Sequence, residues 1–154
     1  MKRQRSGGFL ISKIHRLSGR IFTRLLKKYN LDEINRAQGR IMFPLWKEDG
    51  ISINELSQKT ALSKTSLTSM LDRLEKAGHI KRVHSKEDRR KILIYLTEKN
   101  RTLSNKYSEV SNEMSNLFYE GFDSEEMDEF ENYLERILDN LQKHIDKKKI
   151  SSLK

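Results

Sequence analysis

The segment of residues 52–97 constrains the fold of this chain more than any other part of the sequence. Its pattern predicts a short helix, a tight turn, a second helix and then two strands on either side of a basic loop. This order of elements is that of a helix-turn-helix followed by a wing. Such a unit places its second helix in the major groove of DNA and its wing in the neighbouring minor groove.

Capping residues set the bounds of the two predicted helices. Ser52 precedes Glu55 by the spacing of a capping box, which predicts a helix that ends near residues 59–60. Ser63 is placed to cap the second helix, and Gly78 is placed to end it in a left-handed conformation. Leucines that recur at steps of four and three residues predict the inward face of this second helix: Leu67, Leu71 and Leu74.

The outward face of the second helix and the loop after it carry hydroxyl and basic side chains. Residues 80–83 and 92–97 predict the two strands, with the loop over residues 84–91. Short hydroxyl side chains allow close approach to base edges, and lysine and arginine neutralise phosphates, although a solvated helix face would also be polar. The predicted major-groove contacts are Lys64, Thr65, Ser66, Thr68, Ser69 and Arg73. The predicted wing contacts are Lys86, Arg89 and Arg90.

Charge is segregated along the chain, whose formal net charge of +9 favours a polyanionic partner or an acidic surface. Residues 1–30 contain nine lysines and arginines and no acidic residue. Residues 59–91 contain ten basic residues against four acidic ones, whereas residues 109–139 contain eleven acidic residues and one arginine. This distribution predicts a basic surface that faces DNA and acidic late helices that do not.

The composition also excludes several classes of protein. The chain has no cysteine, so a disulfide framework, a thiolate zinc site and a cysteine redox switch are excluded. Its four histidines are scattered, and no catalytic motif stands out, so neither a metal, another cofactor nor an enzymatic activity is expected. No apolar run approaches the roughly eighteen residues of a membrane span, and no secretory signal is present, which predicts a cytoplasmic protein without a membrane partner.

Further helices are predicted on both sides of the helix-turn-helix. Regularly spaced apolar residues predict a helix over residues 9–29, whose opposite face is basic. A second helix is predicted over residues 35–48, where Pro44 should either kink the helix or lie near its first turn. Two long amphipathic helices follow over residues 98–119 and 124–147.

The last two helices carry long apolar stripes that a single winged helix would leave exposed, and such stripes mark a partner surface. Gly121 separates these two helices, and Ser124 is placed to cap the second. A two-fold homodimer would cover the stripes. Its two recognition helices would then lie about 34 Å apart and would read an inverted repeat in double-stranded DNA.

The predicted architecture is therefore mainly α, a winged helix-turn-helix with a two-stranded wing between N- and C-terminal dimerisation helices. Residues 1–154 form a single domain, in which residues 32–97 are the DNA-binding region. The dimerisation helices are residues 9–30 and 98–148, and residues 149–154 are a basic tail that is expected to be disordered.

Two stretches, SKTSLTSMLDRLEKAGHIKR and EDRRKILIYLT, resemble the MarR family of transcriptional regulators (multiple antibiotic resistance regulators). The matching features are Leu-Glu-Lys-x-Gly and then Asp-x-Arg before an apolar strand that ends in Leu-Thr, here Asp88, Arg90, Leu96 and Thr97. The resemblance covers nearly the whole chain. It implies that Arg90 reaches the minor groove, that Asp88 holds the wing by pairing with an arginine such as Arg73, and that the dimer is triangular.

The resemblance also implies a ligand. Members of the family often lose DNA affinity when a small phenolic or aromatic acid binds between the dimerisation helices and the winged helix. The candidate lining residues are His15, Phe22, Phe43 and Trp46, whose aromatic rings would otherwise belong to the core. The implied function is a homodimeric repressor that covers a promoter and is released by such a ligand.

The sequence departs from the family pattern at two positions. Ser69 stands where many members have arginine, and Asn100 stands where glycine often follows the Leu-Thr pair. The first departure puts a DNA contact in doubt, and the second is expected to change little because a helix begins there. Two alternative functions stay open, a weakly specific architectural DNA-binding protein and a winged-helix module that binds another protein.

Overall fold

The computed structural model describes residues 3–153, except for the side chain of Arg36. Its elements in chain order are α1 (Gly7–Lys28), α2 (Arg36–Lys47), β1 (Ile51–Ser52), α3 (Ile53–Thr60), α4 (Lys64–Lys76), β2 (Ile80–His84), β3 (Ile92–Leu96), α5 (Glu98–Phe118) and α6 (Ser124–Ser152). The predicted mainly helical, winged helix-turn-helix fold is confirmed. The chain divides between Met114 and Ser115 into two compact units. None of the helices within residues 3–153 is long and apolar enough to cross a membrane.

The predicted caps of α3 and α4 are confirmed. The hydroxyl oxygen of Ser52 accepts a hydrogen bond from the backbone N–H of Glu55 at 3.1 Å. Ser63 accepts one from the backbone N–H of Ser66 at 3.2 Å. The α4 helix ends in the Schellman pattern, because Gly78 has φ +82° and the next N–H, that of His79, donates to the carbonyl of Leu74.

The core of the first unit lies between α2, α3, α4 and the sheet. The three leucines predicted to face inward from α4 have no measurable exposure, so the opposite face of this helix is directed outward. Tyr107 and Val110 of α5 join the same core. The remaining buried apolar residues are Leu26, Leu31, Ile34, Ile41, Met42, Leu45, Ile51, Leu56, Ile80, Ile94 and Leu96.

The sheet has three antiparallel strands in the order β1-β3-β2, one more than the predicted wing. The additional strand, β1, is two residues long, and Ile51 pairs with Ile94. A strand of two residues is too short to show an alternation of apolar and polar residues. Its pairing with β3 could therefore be found only from the three-dimensional structure. The predicted strands β2 and β3 pair from Ile80 opposite Leu96 to His84 opposite Ile92.

Pro44 lies in the last turn of α2, not near its first turn. The helix begins with a capping box between Asn35 and Gln38 and ends at Lys47. Proline has no N–H to donate, and its carbonyl accepts from the N–H of Glu48 at 2.9 Å as the helix ends. The helix thus lacks the hydrogen bond from residue 44 to the carbonyl of Arg40, and it ends one turn after the proline.

The second unit corrects two predictions about the last helix. Its N-cap is Asp123 and not Ser124, because Asp123 forms a capping box with Glu126. The α6 helix also continues to Ser152. The predicted disorder of residues 149–154 is therefore wrong for residues 149–152. The final residue of the predicted tail lies outside the described residues.

Two helices carry apolar stripes that are exposed in the single chain. The exposed residues of α1 are Phe9, Leu10, Ile11, Ile14 and Leu17. Those of α6 are Ile137, Leu138, Leu141, Ile145 and Ile150, which are 43–60% exposed. Stripes of this length are unusual on a monomer that stays alone in solution.

We expect the Gly50→Ala variant to lower the free energy of unfolding by about 1–3 kcal/mol. Gly50 has φ +73°, and a Cβ atom there would lie 2.8 Å from Cε1 of Tyr95. The substitution therefore combines backbone strain with a steric contact, and urea denaturation measures the loss. Gly121→Ala is the matched control, because Gly121 has φ +84° but no heavy atom within 4 Å of its Cβ position. Equal losses in both variants would show that the Tyr95 contact contributes nothing.

Candidate DNA-binding surface and aromatic cavity

The outward face of α4 carries all six residues predicted to contact the major groove. Each of them is exposed: Lys64, Thr65, Ser66, Thr68, Ser69 and Arg73. The hydroxyl of Thr68 donates to the carbonyl of Lys64 at 2.7 Å, so its lone pairs remain available as acceptors. The face therefore offers hydroxyl oxygens beside positive charges, which suits base amino groups next to phosphates.

The wing loop is held in shape by Asp88. Its Oδ1 accepts hydrogen bonds from the backbone N–H and from Nε of Arg90, both at 3.1 Å. Its Oδ2 accepts from Nη2 of Arg90 at 3.3 Å. Asp88 thus pairs with an arginine as the resemblance implies, but that arginine is Arg90 of the same turn and not Arg73. The Arg90 side chain and then its backbone N–H hold the pKa of the Asp88 carboxyl below its ordinary value.

The same loop brings together the three residues predicted to act at the wing. Lys86, Arg89 and Arg90 are all exposed, and the Arg90 side chain reaches 92% exposure despite its pairing with Asp88. The ring Nδ1 of His84 donates to the carbonyl of Arg89 at 3.0 Å, since a carbonyl oxygen only accepts. A hydrogen bond on each side of the loop therefore orders the backbone that carries the three cations.

Arg82 on β2 connects the wing to α4, a role that the sequence interpretation missed. Its guanidinium lies 2.7 Å from Oδ1 of Asp72 and 3.0 Å from Oε1 of Glu75. These contacts hold the pKa of Glu75 below its ordinary value, chiefly through the side-chain hydrogen bond from Arg82. Both acidic side chains of α4 are thus paired, so their negative charge is partly neutralised beside the proposed DNA-binding face. The sequence signal for this role was the acidic pair Asp72 and Glu75, three residues apart on α4, followed by basic residues on β2.

A cavity of about 460 Å³ lies between α1, α2, the end of α3 and α5 of the first unit. All four predicted ligand residues line it: His15, Phe22, Phe43 and Trp46. Arg40 and Lys59, which the sequence interpretation did not select, add positive charge to the lining. The Nη2 atom of Arg40 donates to Nε2 of His15 at 2.8 Å, since a guanidinium only donates. The cavity thus combines aromatic walls with cations, the surroundings that suit an aromatic carboxylate.

One wall of the cavity continues into a buried polar chain. The Trp46 ring packs on Tyr107 at a centroid distance of 4.3 Å, and its Nε1 donates to Oδ1 of Asn100 at 2.9 Å. The Nδ2 atom of Asn100 lies 3.1 Å from Nδ1 of His79. Asn100 and His79 are fully buried, so the departure from glycine at residue 100 places a hydrogen-bonded side chain in the core. Across residues 3–153, no three His, Cys, Asp or Glu side chains form a metal-binding group.

Comparison with known proteins gives a family match to the central region. Residues 34–92 match the model of the MarR family. The HTH-type transcriptional regulator TtmR of Methylorubrum extorquens is 35% identical over 88 residues, which are 57% of this chain and 44% of that protein. The matched region thus spans less than half the length of this curated relative.

Solved structures share the fold over most of the chain. A MarR transcriptional regulator from Methanosarcina mazei is 26% identical, with a TM-score of 0.74 over 88% of this chain and 96% of that one. A mutant MarR from E. coli complexed with operator DNA is 24% identical, with a TM-score of 0.73 over 85% and 92% of the two chains. Bordetella bronchiseptica BpsR, whose DNA binding is regulated by 6-hydroxynicotinic acid, is 19% identical with a TM-score of 0.76 over 90% and 99%.

Proposed function

We propose that this chain, which belongs to the MarR family of transcriptional regulators, binds an inverted-repeat operator as a homodimer and represses transcription by covering a promoter. The observation that carries the proposal is the joint exposure of the hydroxylated, basic face of α4 and the three cations of the wing. A rigid leucine core behind α4 fixes the orientation of this face. In this proposal α4 enters the major groove and Arg90 enters the neighbouring minor groove.

The homodimer is supported by the exposed apolar stripes and by charge. The stripe of α1 lies in a segment, residues 1–30, with nine basic and no acidic residues, whereas residues 109–139 are strongly acidic. A second copy could therefore cover apolar surface and pair opposite charges at once. Two-fold symmetry would set two α4 helices about one turn of DNA apart, as an inverted repeat requires.

A small aromatic acid is the effector that the cavity favours. Its volume falls within the range of small-molecule sites, and Phe22, Phe43 and Trp46 offer apolar surface for an aromatic ring. Arg40 would pair with the carboxylate, with His15 beside it. The ligand regulation of BpsR supports this class of effector for a protein of the same fold. Binding of the acid would release the repressor from DNA.

Titration against DNA tests the proposal directly. A fluorescent duplex from the region upstream of the gene and a scrambled duplex are each titrated at ~150 mM salt, with sedimentation measuring the mass of the complex. We expect a preference of ~10³-fold or more for the native duplex and two chains per duplex. Equal affinity for both duplexes would favour the weakly specific architectural alternative. A lack of binding to either would favour a protein partner.

Arg90→Ala is expected to weaken operator binding by about 1–3 kcal/mol, because the wing would lose its groove contact. The same fluorescence titration at ~150 mM salt measures the change. Lys106→Ala, which removes one exposed positive charge from α5, is the control and should leave affinity nearly unchanged. An Arg90→Ala variant that binds like the wild type would remove Arg90 from the DNA contacts.

A further inference from the structure

We propose that Asn100 is a positioning residue that joins the aromatic cavity to the turn between α4 and β2, and that its bridge holds only while His79 is neutral. The inference rests on the proposed function, since the cavity and α4 are the two sites that the bridge would connect. It concerns three side chains, Trp46, Asn100 and His79, which come from α2, α5 and the turn between α4 and β2.

The chemistry of Trp46 fixes the orientation of the amide. An indole N–H can only donate, so the atom of Asn100 that faces Nε1 of Trp46 at 2.9 Å must be the oxygen. The amide nitrogen of Asn100 is thereby turned towards His79. This nitrogen also only donates, so Nδ1 of His79, 3.1 Å away, must accept. The neutral ring then carries its hydrogen on Nε2.

His79 belongs to the segment that holds the recognition helix and the wing together. Its backbone N–H donates to the carbonyl of Leu74 in the last turn of α4, at 2.9 Å. Its carbonyl accepts from the N–H of Thr97 at 3.1 Å, just after β3. The chain of hydrogen bonds therefore leads from a wall of the cavity to the turn that sets α4 against the wing.

A proton on Nδ1 of His79 is incompatible with this arrangement. Nδ1 would then become a donor and would face the amide nitrogen of Asn100, which is also a donor. If the amide turned over, its nitrogen would face the N–H of Trp46, and two donors would again oppose each other. Protonation of His79 and the bond between Asn100 and Trp46 therefore exclude one another.

The charged groups around His79 come from two other segments. Oε2 of Glu33, in the connection between α1 and α2, lies 3.6 Å from Nε2 of His79, and Nζ of Lys99 on α5 lies 3.6 Å from the same carboxylate oxygen. Burial and then the charge of Lys99 lower the pKa of His79 below 6.5, while Glu33 opposes them. The bridge is thus intact at neutral pH. Because the folded-state pKa lies below the unfolded value, the stability contributed by neutral His79 is complete above about pH 6.5 and declines as the pH falls below it.

Trp46 is the only tryptophan of the chain, so its fluorescence emission reports the bridge without DNA or ligand. The pH of the full-length protein is lowered from about 8 to about 5, with circular dichroism following the fold. We expect a shift of the emission maximum with a midpoint below pH 6.5, and no such shift in His79→Asn. Asn100→Asp should move the midpoint upward or abolish the shift, because a carboxylate accepts from both Trp46 and a protonated His79.

The control is His15→Asn, because His15 is a second histidine and lines the same cavity as Trp46. This variant should keep the pH-dependent shift. A wild-type emission maximum that stays constant while the fold is intact would overturn the proposal. A shift that persists in His79→Asn would overturn it as well.

The proposed role of Asn100 in coupling the cavity to DNA binding is tested with DNA and 6-hydroxynicotinic acid at about pH 8. The acid should weaken binding of the native duplex by about 5-fold or more in the wild type and by much less in Asn100→Leu, because the coupling between the two sites is lost. An equal response of the two proteins would overturn the regulatory role of Asn100. A wild type that binds the duplex but ignores the acid would contradict the proposed effector, whereas the fluorescence experiment would still decide the bridge.

Discussion

Replacing Leu71 with alanine is expected to lower the free energy of unfolding by about 2–5 kcal/mol. Leu71 lies at the middle of α4 with no measurable exposure, so the shorter side chain leaves a cavity in the core that faces α3 and the sheet. The cost combines the lost burial of apolar surface with the cavity that remains. Urea denaturation followed by circular dichroism measures the change, at two protein concentrations because a dimer couples unfolding to association.

Ser69→Ala is the matched control for this substitution. Ser69 lies on the same helix but is exposed, so its replacement should change the free energy of unfolding by no more than about 0.5 kcal/mol. A Leu71→Ala variant as stable as the control would mean that α4 does not pack on the core as described. The proposed direction of its outward face would then fail too.

Replacing Lys86, Arg89 and Arg90 together with alanine is expected to weaken operator binding on the order of 100-fold or more. The three cations lie on one loop and are exposed, and in the proposed complex each contacts a phosphate or the floor of the minor groove. Their loss should also make the plot of log affinity against log salt less steep by about 2–3, since fewer counterions are released. Fluorescence titrations at several salt concentrations measure both quantities.

The chain offers a control with the same change in charge. Lys147, Lys148 and Lys149 are exposed residues near the end of α6, and replacing all three with alanine also removes three positive charges. This variant should keep most of the affinity if the wing contacts DNA. Similar losses in the two triple variants would mean that net charge, and not the wing, governs binding.

Local patterns in the sequence were enough to predict the helix-turn-helix. Ser52 and Ser63 cap their helices through backbone groups three residues away, and the leucines of α4 define its buried face by their spacing alone. Such signals involve neighbours along the chain, so no knowledge of the tertiary structure is needed to read them. The four residues predicted to line a cavity also lie around one cavity in the structure. That prediction came from the family resemblance and not from local patterns.

Features that depend on residues distant in the sequence were missed. The pairing of Ile51 with Ile94 creates β1, and Arg82 reaches back to Asp72 and Glu75 only because β2 folds against α4. Asn100 meets Trp46 across 54 positions of sequence. The sequence shows an asparagine near the start of a helix. It does not show whether that side chain is exposed to solvent or buried between Trp46 and His79. The arginine that pairs with Asp88 is Arg90 and not Arg73, because the tight turn of the wing places Arg90 beside it.

The bond between Asp88 and Arg90 has a consequence for the proposed binding of the wing to DNA. Arg90 already has a carboxylate partner in the free protein, so contact with a phosphate is an exchange of one anion for another. Asp88 would compete equally against every sequence, because it accepts the same two side-chain N–H groups of Arg90 whichever bases lie in the groove. In the proposed complex this competition lowers the affinity of the wing for every duplex by the same factor, so it leaves the preference for the operator unchanged.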